Sequence, residues 1–381
     1  MGKRTGGGYH DIAEYYEHLI RTGRLRPGLI LPTEVELAKQ HGVTRTTIRR
    51  AFAGLVNKGL VTKTQGLGTR VALAADVESR AHSPVIVAMP QAEPDILIGG
   101  AFYRQERYQD ALYRYVEALV TALADFSRPF RILYFLEDPA SLDAMIAAAR
   151  EANAPGIIAV DVHQLATVDR LAGCGMPVIF LDSHTHGRAV DAVKSDNVGG
   201  TREATEFLLR TTTGPLAYVG SSKTREEGSP HKERLDGFLE ANRAAGRDVP
   251  SEYISICQVH ERAAWLPRAL ALPAPPAGYM CCDDGVAADV IEWLHARHVA
   301  VPAAASVFGF GNLLSGLSAS PAISTVKVDR RAMGLRAVEM LQARIDNPTA
   351  PPMSAVIPTE LVLRQSTAFS PRETPTPAPG E

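Results

Sequence analysis

Apolar positions Ile12, Tyr15, Tyr16, Leu19 and Ile20 recur at helical spacing across residues 9–22. Arg26-Pro27-Gly28 interrupts that pattern. Thr33 stands before Glu34, Val35 and Glu36 in a capping-box arrangement, which predicts the start of a second helix ended by Gly42. Thr44 opens a third helix with Ile48, Phe52 and Leu55 on one face, and Gly59 closes it. Two short β-prone runs follow, 60–64 and 69–73, joined by Gln65-Gly66-Leu67-Gly68. Helix, helix, turn, helix, hairpin is the order of a winged helix-turn-helix.

Residues 74–84 read as a linker without a strong helix. From Pro84 the texture changes. Short apolar strands are predicted at 85–89, 131–136, 156–160, 177–181, 216–220, 277–282 and 305–309. Helices are predicted between them at 110–125, 140–152, 200–210, 233–245 and 285–297. Strand-helix alternation implies α/β architecture, with parallel sheet covered on both faces. The expected organisation is a winged helix-turn-helix head (1–73), a linker (74–84), an α/β body (85–367) and a disordered, proline-rich tail (368–381).

Composition sharpens this picture. At about 150 residues per domain, 381 residues suggest two or three domains. Hydrophobic residues at 45% and charged residues at 22% exclude disorder for most of the chain. No apolar run reaches the ~18 residues of a membrane span. The N-terminus has no apolar core of a secretion signal. The four cysteines show no metal spacing and no disulfide framework, so a reducing cytoplasm is expected. Net charge is −2, but residues 1–75 hold 12 Lys+Arg against 5 Asp+Glu, and the remainder is acidic. A basic head on an acidic body suits a nucleic-acid module attached to something else.

On the third helix, Arg45, Thr46, Arg49 and Arg50 lie off the apolar stripe. A helix entering the major groove needs that division. Arginine reads guanine bidentately, while threonine hydroxyls and amides near the helix start hold phosphates. Lys63 and Arg70 flank a Gly66/Gly68 tip small enough to approach a minor groove or a phosphate. The Gly-x-Gly sits in a hairpin, so it is no nucleotide fingerprint. Leu31-Pro32-Thr33-Glu34-x-x-Leu37-Ala38, Gly42-Val43-Thr44-Arg45-x-Thr47-Ile48-Arg49-x-Ala51, Gly59-Leu60-Val61 and Gln65-Gly66-x-Gly68-Thr69-x-Val71 together resemble the GntR-family DNA-binding domain, over residues 9–73. The resemblance implies DNA contacts by Thr44, Arg45, Thr46, Thr47, Arg49 and the wing near Gly66. Arg50 and Lys63 join them as candidates by position. Val35 occupies a place where some members carry a base-reading arginine, which implies weaker readout by the second helix. Glu34 and Glu36 are read as helix caps.

GntR-type heads are joined to several unrelated bodies. An aminotransferase-like body would need a Schiff-base lysine and a phosphate cup, and no segment offers a context for either. Pro177-Val178-Ile179-Phe180-Leu181-Asp182, Ser195-Asp196-Asn197-x-Gly199-Gly200 and Arg234-Leu235-Asp236-Gly237-Phe238 resemble the lac repressor/periplasmic sugar-binding family. So do Cys282-Asp283-Asp284-Gly285-Val286-Ala287, Ser306-Val307-Phe308-Gly309-Phe310, Ile323-Ser324-Thr325-Val326 and Met333-Gly334-x-x-Ala337-Val338, in the family's order over 84–367. The combination is similar to arabinose-repressor-type regulators. It implies two lobes joined by three crossings, placed near 183–194, 311–316 and 326–330, with a polar ligand between the strand ends. Carboxylates accept from adjacent hydroxyls and arginine donates in a planar fork. By position, ligand contacts carry over to Asp182, Arg234 and Asp284. For the last two, an interlobe ion pair or helix cap is the alternative, and for Asp182 a turn cap. Phe102 and Tyr103 stand where a stacking ring is often supplied, with core packing as the alternative. Asp161 and His260 are positional candidates. Asp283 replaces the family's usual asparagine and is read as a helix cap. Asn197, Gly199 and Gly200 are read as strand-to-helix geometry. His163, His184 and His186 are read as solvated loop residues, not metal ligands.

No Gly-x-Ser-x-Gly elbow, His-Glu-x-x-His or Walker-type loop occurs. A glycosidase-like reading of Asp182 and Asp284 is weaker than binding in a two-lobed fold. The expected protein is therefore not an enzyme and uses no cofactor. It is a homodimeric regulator, released from a palindromic double-stranded operator by a sugar-like effector, with 331–344 a candidate dimer surface. Two alternatives stay open: a regulator whose ligand strengthens DNA binding, and a GntR-headed enzyme.

Overall fold

A computed structural model describes residues 8–22, 24–57, 59–64, 68–72, 83–90, 102–126, 129–136, 138–221, 224, 228–256 and 259–368. The head contains α1 (Tyr9–Arg21), α2 (Glu34–His41) and α3 (Arg45–Asn57), then an antiparallel hairpin of β1 (Val61–Thr64) and β2 (Gly68–Val71). Thr33 and Glu36 close the expected capping box, with the Thr33 amide donating to Glu36 Oε2 at 2.8 Å. Gly42 ends α2 at φ 66°, a left-handed conformation that a Cβ disfavours. Ile12, Tyr16, Leu37, Ile48, Phe52, Leu55, Val61 and Val71 form its core. The break at 26–28 leads into a short extension of the wing, where Leu31 N donates to Thr69 and Val71 N donates to Leu29. Most of the expected linker and the tail beyond residue 368 lie outside the described residues.

The body opens with β3 (Val85–Pro90), α4 (Phe102–Asp125), β4 (Phe130–Phe135), α5 (Pro139–Glu151), β5 (Ile157–Val160), α6 (Leu165–Ala172), β6 (Val178–Leu181) and β7 (Asp191–Ser195). A second unit follows. It comprises α7 (Asn197–Thr211), β8 (Leu216–Gly220), α8 (Pro230–Ala244), β9 (Ile254–Ile256), α9 (Val259–Leu270), β10 (Gly278–Cys281), α10 (Asp284–His295), β11 (Ser306–Phe310), α11 (Leu314–Ser318) and β12 (Ser324–Val328). The chain then returns through α12 (Arg330–Asp346) and β13 (Ser354–Ile357) and ends its second visit with β14 (Thr359–Val362). Lobe 1 has strand order β13-β7-β6-β5-β3-β4, and lobe 2 has β14-β12-β11-β10-β8-β9. All pairings are parallel except β14 on β12.

The three crossings fall at Asp196, Asp329 and Pro358, between strands of different sheets. Only the expected 326–330 crossing coincides. Residues 191–195 pair within lobe 1 as β7, and 311–316 remain within lobe 2 as the β11–β12 connection, so the other two placements are corrected. Asp196 and Asp329 each cap the helix that follows, accepting from Gly199 N at 2.8 Å and Ala332 N at 2.9 Å. The first two switches of lobe therefore coincide with a fixed helix start, while the third passes from strand to strand at Pro358. Arg344 of α12 grips Asp191 at 2.6 and 2.9 Å and secures the returning helix to β7.

Period-two alternation decides the core of lobe 1. Val85, Val87 and Met89 pack with Tyr115 and Leu119 of α4 and Met333 and Ala337 of α12. Ile86 and Ala88 face the other way, onto Leu142, Met145, Ile146 and Ala149 of α5. In lobe 2, α8 lies so close to α7 that a Cβ at Gly237 would stand 2.3 Å from the Val198 carbonyl oxygen.

Candidate functional site

On the head, the start of α3 faces outward. Thr44 Oγ1 accepts from Thr47 N at 3.2 Å and meets Thr47 Oγ1 at 2.8 Å, capping the helix. Thr44, Arg45, Thr46, Arg49 and Arg50 are exposed, while Ile48 is fully buried beneath them. Glu36 takes the capping role, but Glu34 does not. Its carboxylate accepts from Arg49 Nη2 at 3.1 Å and from Lys63 Nζ at 2.5 Å. Hydrogen bonds from Lys63 and then Arg49 hold its pKa below the usual carboxylate value. Glu34 thus joins the third helix to the wing, which corrects its reading as a cap. Arg50 turns instead to α1, with its guanidinium 4.3 Å from the Tyr9 ring centroid. Val35 is exposed. Gly66 lies outside the described residues.

In the body, the carboxyl ends of the two parallel sheets approach one another. On the lobe 1 side, Asp161 and Asp182 directly follow β5 and β6, both with left-handed backbone, at φ 56° and 49°. Asp182 Oδ2 accepts from Tyr115 Oη at 2.6 Å, and its buried Oδ1 has no hydrogen-bond partner among the described residues. Burial, followed by the Asp182 charge, pushes the Tyr115 phenol well above its ordinary pKa, so it stays a donor. Arg330 lies 5.2 Å from the Tyr115 ring centroid and donates to the Gly311 carbonyl of lobe 2 at 2.7 Å. Asp182, Tyr115, Arg330 and Gly311 therefore form a bridge between the lobes.

On the lobe 2 side, buried Arg234 projects from α8. Its Nε donates to Asn197 Oδ1 at 2.9 Å and its Nη1 donates to the Cys282 carbonyl at 2.8 Å. The guanidinium carbon lies 4.0 Å from the centroid of the Phe310 ring. Nη2 has no hydrogen bond to a described residue. Asn197 is itself fixed, donating to Glu233 Oε2 at 2.9 Å. Helix geometry alone is thus too narrow a reading of Asn197. Asn197, Tyr115, Phe310 and Arg330 are the components that sequence reasoning missed, because their roles arise only from neighbours far along the chain.

Asp283 caps α10, accepting from Val286 N at 2.7 Å, as its position suggests. Asp284 is fully buried. Its Oδ1 accepts from Thr325 Oγ1 and its Oδ2 from Leu313 N, both at 2.6 Å. Burial raises its pKa to about 6, against the lowering effect of those two bonds. In this structure Asp284 ties the 311–313 turn to β12 and has no exposed surface. Phe102 and Tyr103 begin α4 rather than precede it, and His260 lies at the start of α9. These three are described by backbone alone.

The histidines are not solvated loop residues. His184 is buried and stacks on His186 at 3.6 Å, and His186 Nε2 lies 2.6 Å from the His163 carbonyl oxygen. His163 pairs with Asp161 at 2.7 Å. A Cβ on Gly228 of lobe 2 would lie 3.5 Å from His184 Nε2, so the lobes nearly touch here.

The sequence matches the gntR family of bacterial regulatory proteins over residues 8–71. It matches the periplasmic binding protein-like domain over residues 206–367. The chain joins a GntR-type DNA-binding head to a periplasmic-binding-protein-like body. It is similar to the arabinose metabolism transcriptional repressor of Geobacillus stearothermophilus, 24% identical over 380 residues, covering 96% of this chain and 99% of that protein. It is similar to the transcriptional regulator GalR of Lacticaseibacillus casei, 22% identical over 343 residues, covering 88% and 99%. Its fold resembles a solved complex of the transcriptional regulator CelR with cellobiose, with TM-score 0.63 and 20% identity, covering 88% of this chain and all of that one. Among the described residues, no helix is long and apolar enough to cross a membrane.

Proposed function

We propose that this protein is a cytoplasmic transcriptional repressor, whose GntR-type heads bind a palindromic operator as a homodimer and whose body releases them on taking up a small sugar-like effector. The observation that carries the effector reading is Arg234. Asn197, the Cys282 carbonyl and Phe310 hold its guanidinium, with Nη2 left for a ligand oxygen. Asp182, at the facing strand ends, keeps one carboxylate oxygen without a hydrogen-bond partner among the described residues, as an acceptor for a hydroxyl. A ligand joining the two would draw the lobes together. Asp284 acts on the ligand through the turn it fixes, and Phe102, Tyr103, Asp161 and His260 remain candidates around it. On the head, Thr44, Arg45, Thr46, Thr47, Arg49, Arg50, Lys63 and Gly66 remain the proposed DNA contacts. The dimer surface is proposed on the body, with 331–344 as its candidate. No catalytic step is proposed.

The test is a thermal-shift screen against pentoses, hexoses, disaccharides, sugar phosphates and nucleosides. A ligand at 100 times its Kd adds about 2.7 kcal/mol, enough to see. A stereospecific hit that disappears in Arg234→Ala supports the cleft. An unchanged shift in that variant removes Arg234 from the site. Titrating DNA affinity with the hit separates induction, in which affinity falls, from corepression, in which it rises. Product analysis after incubation separates binding from turnover.

A further inference from the structure

Beside Arg234 lies a cluster that the recognition of a sugar does not use. His231 stands in the first turn of α8, and Cys282 and Asp283 connect β10 to α10. One ring nitrogen of His231, Sγ of Cys282 and a carboxylate oxygen of Asp283 all lie within 4.8 Å of one another. Among the described residues this is the single convergence of three such groups. Cys282 Sγ and Asp283 Oδ2 are 3.6 Å apart. Sulfur and oxygen bound to one tetrahedral Zn²⁺, at about 2.3 and 2.0 Å, stand about 3.5 Å from each other. That pair already has the spacing of two ligands on one ion.

The surroundings fix these groups. Asp283 Oδ1 caps α10, which leaves Oδ2 toward the thiol. Ser221 Oγ lies 3.3 Å from His231 Nδ1, the kind of bond that sets the ring and tautomer of metal-bound histidines. Tyr218 Oη donates to the His231 carbonyl at 3.2 Å, and Arg234 to the Cys282 carbonyl at 2.8 Å. The cap uses one oxygen of Asp283, so its second oxygen and its charge exceed what capping requires. A thiolate, a carboxylate and a neutral imidazole together balance a divalent cation. The donor set selects a zinc-class ion over Mg²⁺ or Ca²⁺, which take oxygen ligands.

We propose that His231, Cys282 and Asp283 form a three-ligand site for a zinc-class divalent metal on lobe 2. The fourth position is left to water or to an oxygen of a ligand. On binding, the Cys282 S–H bond breaks, a sulfur–metal bond forms and the proton passes to solvent.

The experiment titrates full-length protein with Co²⁺ as a spectroscopic probe. The expected result is a thiolate-to-cobalt charge-transfer band with tetrahedral d–d bands, saturating at one ion per chain and displaced by Zn²⁺. Cys282→Ser abolishes the charge-transfer band. Asp283→Asn keeps a helix cap and weakens binding by at least about 10-fold, a loss that even residues behind a ligand can produce. No charge-transfer band in the wild type, or the same band in Cys282→Ser, overturns the proposal. Should that variant not fold, wild-type Co²⁺ affinity in both Asp283→Asn and His231→Gln overturns it. None of these readouts involves DNA or sugar, so their failure leaves the repressor reading untouched.

Discussion

Glu34 accepts from both Arg49 and Lys63, so two cations of the proposed DNA face share one network. Arg49 is well exposed and its pairing is open to exchange with DNA, since exposed ion pairs contribute only about 0–1 kcal/mol. Arg49→Ala is expected to weaken DNA binding and to reduce the slope of log affinity against log salt by about 0.9. Equal slopes for variant and wild type would mean that the head docks differently. Asp284 offers a second test at this scale. Burial raises its pKa to about 6, above the value in an unfolded chain. The folded state therefore binds that proton more tightly. The stability gained is full below the unfolded pKa and is lost as pH rises through about 6, a change of at most about 3 kcal/mol. Thermal denaturation from acid to neutral pH should show this decline in the wild type and a flatter profile in Asp284→Asn.

At the scale of elements, Gly237 gives a test with opposed signs. Helix propensity alone favours alanine by about 1 kcal/mol in a helix interior. The Val198 carbonyl oxygen, 2.3 Å from the new Cβ, opposes it, as does Arg202 N at 3.1 Å. Backbone cannot swing aside, and overpacking costs about 1–3 kcal/mol. Gly237→Ala should lower the urea midpoint without changing the m-value, and a raised midpoint would show that α7 and α8 separate freely. Burial also explains which elements were legible. Strands buried on both faces, such as β5, β6, β8 and β10, are continuous apolar runs. β13 and β14 are short and half exposed, and β7 and β12 carry polar residues such as Asp191, Lys194, Ser324 and Lys327, so their composition does not declare them.

Across the whole molecule, the Asp182–Tyr115–Arg330–Gly311 bridge and the His184–Gly228 approach show that cleft and lobe spacing are mechanically one feature. On the proposed reading, a ligand between the lobes would act on these contacts. If effector lowers operator affinity, operator must lower effector affinity by the same factor, with a typical coupling of about 1–3 kcal/mol. Calorimetric titration of effector into free and operator-bound protein checks this equality. Equal effector affinity in the two forms would exclude coupling between head and body.

Local chemistry along the chain was enough for the winged helix, its caps at Thr33 and Thr44, the basic start of α3 and the parallel character of the body. Each depends on residues within a turn or a strand of one another. Resemblance made Arg234 and Asp182 candidates, but what holds them was not legible in the sequence. Tertiary structure alone decided where the chain changes lobe, that Glu34 links helix to wing, that Asp284 is buried, and that His231 meets Cys282 and Asp283. These pairings join positions tens of residues apart, and no periodicity or spacing records which distant side chains will share a cleft.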